Sequence, residues 1–108
     1  MEVSFATSKL KKICESQKEL QRTHGEACAK RIMQRLADLR AAPSLEEMRA
    51  LPGGCHELKG DRAGQLALEL PDGKRLVFEP APKPTGRGPR LDWRTVDSVC
   101  VAAIEDYH

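Results

Sequence analysis

The segment Leu70-Pro71-Asp72-Gly73-Lys74 places a turn between two runs of alternating apolar residues. Proline pre-sets the first turn dihedral and glycine accepts a left-handed backbone, so this sequence predicts a β-hairpin. We expect Pro71, Asp72 and Gly73 to form a three-residue loop that closes on a bulge. The rest of the fold must therefore include a sheet built around this hairpin.

The alternation on each side of the turn selects the register of the hairpin. A two-residue Asp-Gly loop would put the leucines of the first strand on the face opposite Leu76 and Phe78. Because a slip of one residue turns every side chain over, the apolar pattern favours the three-residue loop. One face is then apolar, and the other carries Arg75. The predicted pairs are Leu68 with Leu76, Leu66 with Phe78, Glu69 with Arg75, and Ala67 with Val77.

Two helices are predicted before the hairpin. From Ser8 to about Arg22, apolar residues recur at helical spacing, with lysines on the opposite side. A second helix is expected to run to about Ala41 from Thr23-His24-Gly25-Glu26, which has the form of a capping box. Two helices joined so briefly must pack antiparallel. The apolar stripe of the second helix comprises Cys28, Ile32, Leu36 and Leu39, widened by Ala29 and Met33.

Three further segments complete the predicted order of elements. The alternating residues 2–5 are enough for one strand, and Ser44-Leu45-Glu46-Glu47 is a second capping box that opens a short helical turn. Residues 99–104 are almost wholly apolar, which is typical of an interior strand buried on both faces. The order predicts an α+β fold with an N-terminal helical hairpin packed on one face of a small antiparallel-rich β-sheet. The 108 residues, 1–108, are expected to form a single domain.

Composition constrains the partner only weakly. Charged residues make up 31% of the chain and the net charge is +2, which does not by itself require a nucleic-acid partner. The segment from 80 to 90, PAPKPTGRGPR, is expected to be a mobile, positively charged loop. A solvated surface explains the local basic excess as simply as an anionic partner does. Between residues 59 and 90 the bases Lys59, Arg62, Lys74, Arg75, Lys83, Arg87 and Arg90 outnumber the acids Asp61, Glu69, Asp72 and Glu79.

The four cysteines, Cys14, Cys28, Cys55 and Cys100, are widely spaced. No Cys-x-x-Cys pair and no secretory segment accompanies them, which predicts reduced, mostly buried thiols in a cytoplasmic protein. The spacing supports no metal site, and we expect no metal or other cofactor. No apolar run approaches membrane-spanning length, so no membrane partner is expected either.

Three ordered motifs resemble a known family. They are Cys-His-Glu-Leu-Lys-Gly-Asp-Arg at 55–62, Arg-Leu-Val-Phe at 75–78 and Asp-Tyr-His at 106–108. Together with the predicted helical hairpin, they resemble the HigB-like killer proteins of bacterial toxin and antitoxin systems, within the RelE/ParE superfamily. The sequence departs from the family before Arg75, where Gly73-Lys74 stands in place of the usual aromatic residue.

The resemblance implies a ribosome-dependent endoribonuclease, an mRNA interferase, which cuts mRNA and inhibits translation. It also implies a cognate antitoxin on a separate chain, of helix-turn-helix type, because this chain contains no segment that reads DNA in that way. The matching positions are His56, Lys59, Arg62, Arg75, Tyr107 and His108, and all of them except Arg62 form the expected catalytic set. The RNA-binding set predicted from the resemblance and from charge is Lys59, Arg62, Lys74, Arg87 and Arg90.

These residue types fit RNA cleavage without a metal. The reaction needs a base for the 2′-hydroxyl, cations for the pentavalent phosphorus, and an acid for the departing 5′-oxygen. His56 or His108 is the natural proton shuttle, because histidine titrates nearest neutral pH. Arg75 is suited to clamp a phosphate, and Tyr107 to donate a hydrogen bond or stack on a base. Since neighbours in a strand point to opposite faces, Tyr107 and His108 cannot both reach the site unless the backbone leaves the strand path.

Ordinary structural roles remain open for the same residues. Arg75 is also the cross-strand partner expected for Glu69, and His56 has the pattern of a structural histidine. Lys59 and Arg62 are equally consistent with solvated charges. At the level of function, the alternatives are a non-catalytic partner-binding protein and a gyrase-poisoning toxin of the ParE type, because one fold supports several functions.

Overall fold

The structure is a computed structural model that describes residues 1–82 and 91–107. Its strands and helices follow the predicted order, with the first predicted helix divided in two. The elements are β1 (Glu2–Phe5), α1 (Ser8–Cys14), α2 (Gln17–His24), α3 (Glu26–Ala41), β2 (His56–Glu57), β3 (Leu66–Leu70), β4 (Lys74–Pro80) and β5 (Ser98–Asp106). Three short 3₁₀ turns lie at Leu45–Ala50, Gly60–Arg62 and Trp93–Thr95.

The strands form one five-stranded sheet in the order β1-β5-β4-β3-β2. Strand β1 runs parallel to β5, and the other neighbours are antiparallel. The sheet and its helices confirm the predicted α+β architecture. Strand β5 has the predicted interior position, but it is not buried on both faces as expected. Val99 and Val101 are fully buried, whereas Cys100 and Ala102 keep partial exposure.

The hairpin has the predicted loop and register. Its three-residue loop joins Leu70 to Lys74, and Asp72 and Gly73 both have a positive φ. All four predicted cross-strand pairs are present: Leu66 with Phe78, Ala67 with Val77, Leu68 with Leu76, and Glu69 with Arg75. We call the side of the sheet that carries Leu66, Leu68, Leu76 and Phe78 the helix face, and the side that carries Ala67, Glu69, Arg75 and Val77 the Arg75 face.

The helix face bears the main core. Leu36 and Leu39 of α3 join Phe78 in one buried cluster with the leucines of β3 and β4. Helix α3 ends at the predicted Ala41 but begins at Glu26, two residues later than a cap at Thr23 implies. Its predicted stripe residues Cys28, Ile32, Leu36 and Leu39 are almost completely buried. At about 25 cal/mol per Å² of apolar area removed from water, this cluster is the chief stabilising term of the fold.

The region predicted as one helix from Ser8 to Arg22 is broken at Glu15 and Ser16. Ser16 has an extended backbone and its Oγ accepts a hydrogen bond from the Glu19 N–H at 3.2 Å, so it caps a new helix. Such a cap satisfies one of the amide groups that a helix start leaves unpaired. The prediction was wrong here because a helix-starting serine lies inside the apolar periodicity.

Neither predicted capping box forms. Thr23 lies within α2, and Gly25, with a φ of 84°, takes the cap position of α3 without any side-chain hydrogen bond. Ser44 precedes the predicted short helical turn at Leu45–Ala50, but its side chain makes no capping hydrogen bond either. The helix starts were correct to within a few residues, whereas the bonding that we expected at them was wrong.

A bulge divides β5 into two halves with different side-chain parity. Val77 of β4 lies opposite Ala103, whereas the next residue, Phe78, lies opposite Val101. Ala102 is therefore an extra residue in the ladder. Because the pleat has a period of two, this residue shifts the later part of β5 by one position and re-aims its side chains.

None of the helices in the described part of the chain is long and apolar enough to cross a bilayer.

Trp93 is buried, and its indole N–H donates to Glu57 Oε2 at 3.0 Å. The guanidinium of Arg49 lies 3.9 Å from the ring centroid of Trp93. These contacts show that the tryptophan packs within the fold.

Candidate functional site

Two arginines meet one carboxylate on the Arg75 face of the sheet. Glu105 Oε1 accepts from Arg75 Nε at 2.9 Å and lies 2.8 Å from Arg75 Nη2. Arg62 Nη2 lies 3.1 Å from the same oxygen and donates to Glu105 Oε2 at 3.2 Å. We call Arg62, Arg75, Glu105 and Tyr107 the arginine cluster. Its two guanidinium groups and one carboxylate give it a local charge of +1.

Tyr107 joins the cluster through its ring. The Arg75 Cζ atom lies 4.9 Å from the centroid of the Tyr107 ring, a cation–π distance. The Tyr107 backbone N–H donates to the Gly73 carbonyl at 2.9 Å, which extends the pairing of β4 and β5 beyond the last strand residue. With 41% of its surface exposed, Tyr107 keeps a ring available to a ligand.

The bulge in β5 explains why the cluster forms. Val99 and Val101 face the core, so an uninterrupted strand would aim Glu105 at the helices as well. The extra residue Ala102 reverses that parity, and Glu105 pairs with Arg75 on the same face. One inserted residue therefore decides that the end of β5 supplies a carboxylate and an aromatic ring to this face.

Arg62 reaches the cluster from the loop between β2 and β3. It ends the 3₁₀ turn Gly60–Arg62, in which Gly60 has a φ of 69° that favours glycine. The Nε atom of Arg62 donates to Gln65 Oε1 at 2.8 Å, which leaves Nη2 directed at Glu105. The turn that Gly60 permits and the side-chain amide of Gln65 thus orient the guanidinium of Arg62.

The electrostatics of the cluster keep Glu105 ionised. Burial acts to raise the pKa of its carboxyl, but hydrogen bonds and charge from Arg75 and Arg62 outweigh burial, so the pKa is lowered. A carboxylate with a lowered pKa and several N–H donors is a weak proton acceptor. Glu105 is therefore poorly suited to act as a general base.

The other residues carried over from the resemblance lie at different distances from the cluster. Lys59 is exposed, takes part in no ion pair among the described residues, and its carbonyl accepts from the Arg62 N–H. His56 is exposed on β2, with its Nδ1 atom 2.9 Å from the Gly54 carbonyl oxygen. It pairs with Ala67 and so shares the Arg75 face, two strands from β4. Strand spacing and rise put its Cα about 12 Å from that of Arg75.

Lys74 is not part of the cluster. As the neighbour of Arg75 in β4 it points to the helix face, where its Nζ lies 3.5 Å from His24 Nδ1. Burial, followed by the charge of Lys74, lowers the pKa of His24. Because side chains alternate along β4, Lys74 lies on the face opposite Arg75, and its role in RNA binding stays a prediction.

The remaining predicted site residues, His108, Arg87 and Arg90, lie outside the described residues. Neighbouring strand residues point to opposite faces, so Tyr107 and His108 were not both expected to reach the site. Tyr107 lies on the Arg75 face. Within residues 1–82 and 91–107, no three His, Cys, Asp or Glu side chains are grouped as a metal site requires.

Sequence reasoning missed Glu105 and Gln65. The motifs that carried the resemblance contain mainly basic residues and histidines. Glu105 lies one residue before the motif at 106–108, and so it was not considered. A signal for its position was present, because the apolar residues of β5 that pack on the core change from odd positions, Val99 and Val101, to the even position Ile104. Such a change of parity within one strand indicates a bulge.

Comparison with known proteins bears on the fold. No family model matches the chain, and no curated protein matches it. Among solved structures, the chain is similar to a YoeB/ParE toxin from Agrobacterium tumefaciens, with 18% sequence identity over 100% of both chains and a TM-score of 0.52. The chain therefore shares its α+β fold with this toxin, whereas the RelE/ParE superfamily and the HigB subtype stay predictions.

Proposed function

We propose that this protein is the toxin of a type II toxin-antitoxin system and acts as a ribosome-dependent mRNA endoribonuclease. The observation that carries the proposal is the convergence of Arg62 and Arg75 on one anionic group beside the exposed ring of Tyr107. Two guanidinium groups with an aromatic neighbour form a suitable site for a nucleotide phosphate and its base. The fold that the chain shares with a YoeB/ParE toxin supports the same assignment.

The chemistry that we assign to the cluster is stabilisation of charge. Attack of a 2′-hydroxyl on the adjacent phosphate creates a pentavalent, more negative phosphorus centre. Arg75, held by strand β4, and Arg62, held by its turn, supply permanent positive charge to the non-bridging oxygens. The use of a 2′-hydroxyl makes RNA the substrate and DNA a non-substrate.

Proton transfer in this proposal falls to histidine and tyrosine. We assign no proton transfer to Glu105, whose carboxylate is ion-paired with both arginines in the free protein. The Cα atom of His56 lies about 12 Å from that of Arg75 by strand geometry, a distance that the two side chains can bridge around one phosphate. We assign the acid and base roles to His56 and His108, with Tyr107 stacking on a base or donating a hydrogen bond. Lys59, exposed and three residues before Arg62, is assigned to steering the RNA backbone.

The partners in this proposal are translating ribosomes with their mRNA, and a separate antitoxin chain. A direct experiment adds the purified protein to translating ribosomes loaded with a defined mRNA in magnesium buffer, with and without prior dialysis of the protein against EDTA. We expect cleavage of the mRNA with both protein samples, and none of a DNA of the same sequence. Absence of cleavage with a folded protein would contradict the proposal.

A gyrase poison is the second candidate, because the similar solved structure is described as a YoeB/ParE toxin. Two assays, one of gyrase supercoiling and one of mRNA cleavage, distinguish these two functions. A ribonuclease leaves supercoiling by purified gyrase unchanged and yields cut mRNA, whereas a gyrase poison inhibits supercoiling and leaves mRNA intact.

A further inference from the structure

Glu105 makes the same contacts with the arginine cluster that a phosphate would make. Arg75 approaches Oε1 with both Nε and Nη2, at 2.9 and 2.8 Å, and Arg62 approaches it at 3.1 Å. Planar guanidinium groups bind carboxylates and phosphates through the same fork of N–H donors. The place on the Arg75 face where two arginines converge is thus occupied by an anion of the chain itself.

We propose that Glu105 holds, in the free protein, the place that a phosphodiester of RNA takes in the complex. Binding is then an exchange in which the two arginines release a carboxylate and accept a phosphate. This inference rests on the proposed function for the identity of the ligand, and it adds an internal competitor that the proposed reaction does not require.

The exposure of the three side chains makes the exchange feasible. The side chains of Arg75, Arg62 and Glu105 are 17%, 37% and 27% exposed, so a ligand reaches the ion pairs from solvent. Partly exposed ion pairs contribute little net stability, because water replaces much of what they lose. Releasing Glu105 therefore costs little, whereas Gln65 still holds the guanidinium of Arg62 and the ring of Tyr107 still lies beside that of Arg75.

The exchange has a consequence for selectivity. A lone inorganic anion must compete with a carboxylate that is always present at high effective concentration. An RNA on the ribosome brings further contacts to Tyr107 and Lys59, and these supply the additional binding free energy. The internal carboxylate lowers the affinity of every ligand that must displace it by the same factor, and only a ligand with further contacts, such as RNA, still binds tightly.

The test compares Glu105→Gln with Glu69→Gln. Both changes remove one negative charge from the Arg75 face, but Glu69 lies opposite Arg75 on β3 and forms no ion pair among the described residues. The probe is a short single-stranded RNA with 2′-O-methyl groups, which binds without being cut, measured by fluorescence anisotropy. We expect Glu105→Gln to tighten binding about five-fold and Glu69→Gln to change it less than about two-fold.

Equal effects of the two substitutions, or weaker binding by Glu105→Gln, would overturn the exchange. Glu105→Ala repeats the comparison without an amide group that still contacts the arginines. A titration of the wild-type protein with inorganic phosphate, followed by nuclear magnetic resonance, requires no variant. The exchange predicts that the side-chain signals of Arg62, Arg75 and Glu105 move together, and movement of the arginine signals alone would contradict it.

The binding assay also separates this inference from the ribonuclease assignment. Tighter RNA binding by Glu105→Gln with no mRNA cleavage by any variant supports the exchange and removes the proposed activity. Cleavage of mRNA together with no gain in RNA affinity in Glu105→Gln would contradict the exchange and support the ribonuclease activity.

Discussion

The two faces of the hairpin are built on the same strands and differ in what their side chains do. On the helix face, Leu68, Leu76 and Phe78 are fully buried against the helices. On the Arg75 face, Arg75 meets Glu105 and the ring of Tyr107. Because parity along each strand assigns a residue to one face, stability and ligand binding are separated between neighbouring positions.

The comparison also shows how one inserted residue maintains this separation. Strands β3 and β4 keep a single parity through their paired residues, whereas β5 changes parity at Ala102. The first half of β5 thereby contributes valines to the core, and the second half contributes Glu105 and Tyr107 to the Arg75 face. The bulge is the feature on which the whole site depends.

Deletion of Ala102 has the largest expected effect. Without the bulge, β5 must turn either Glu105 towards the helices or its valines out of the core. We expect a loss of about 3–5 kcal/mol in the free energy of unfolding, typical of a buried charge without its partner. Urea denaturation measures this loss.

The control for the deletion is Ala102→Gly, which keeps the residue count and costs about 1 kcal/mol or less. A deletion variant as stable as the wild type would show that the bulge does not set the two faces.

Leu76→Ala has the next largest expected effect on stability. It removes a fully buried side chain from the helix face and should lower the free energy of unfolding by about 3 kcal/mol. The adjacent Arg75→Ala loses only a partly exposed ion pair, at about 1 kcal/mol or less. Denaturant midpoints compare the two variants, and equal losses would break the distinction between the faces.

Glu105→Gln should have a smaller effect that depends on pH. The lowered pKa of Glu105 means that the folded chain binds this proton less readily than the unfolded chain. The ion pairs therefore add stability above the ordinary glutamate range, and that stability is lost as pH falls through the lowered pKa. At pH 7 we expect the variant to be less stable by about 0.5–1 kcal/mol.

Thermal unfolding at neutral and acid pH checks this prediction. The wild type and Glu105→Gln should converge in acid, and a difference that persists at the lowest pH would contradict the assigned ion pairs.

Tyr107→Leu has the smallest expected effect. It removes the ring beside Arg75 and should cost about 0.5 kcal/mol, an exposed cation–π contribution, whereas Tyr107→Phe keeps the ring and its stability. Unfolding of the three proteins in parallel measures the difference. A larger loss in Tyr107→Phe than in Tyr107→Leu would show that the hydroxyl group, rather than the ring, makes the contact.

The hairpin register, and the buried stripe and end of α3, could be predicted from the sequence. The turn Pro71-Asp72-Gly73 and the alternating leucines left one register that buries an apolar face, and that register is observed. In α3 a continuous apolar stripe coincides with the buried positions. Local pattern and tertiary packing require the same arrangement at both places, so local reasoning is sufficient there.

The break between α1 and α2 and the arginine cluster depend on competing signals. Ser16-Gln17-Lys18-Glu19 is a helix start that the apolar periodicity concealed, and Ser16 does cap α2. Glu105 pairs with residues 30 and 43 positions earlier, through a bulge. Contacts between distant segments depend on strand parity, and a single-residue insertion reverses that parity, so the residue motifs alone did not reveal this carboxylate.

Cleavage of mRNA by Arg75→Ala and by Lys74→Ala on translating ribosomes tests the central claim most directly. The two residues are neighbours in β4 and carry the same charge, but they lie on opposite faces of the sheet. With both variants folded, we expect Arg75→Ala to lose about 100-fold or more in cleavage rate, and Lys74→Ala to stay within about three-fold of the wild type. Equal losses, or a larger loss for Lys74→Ala, would contradict a phosphate site on the Arg75 face.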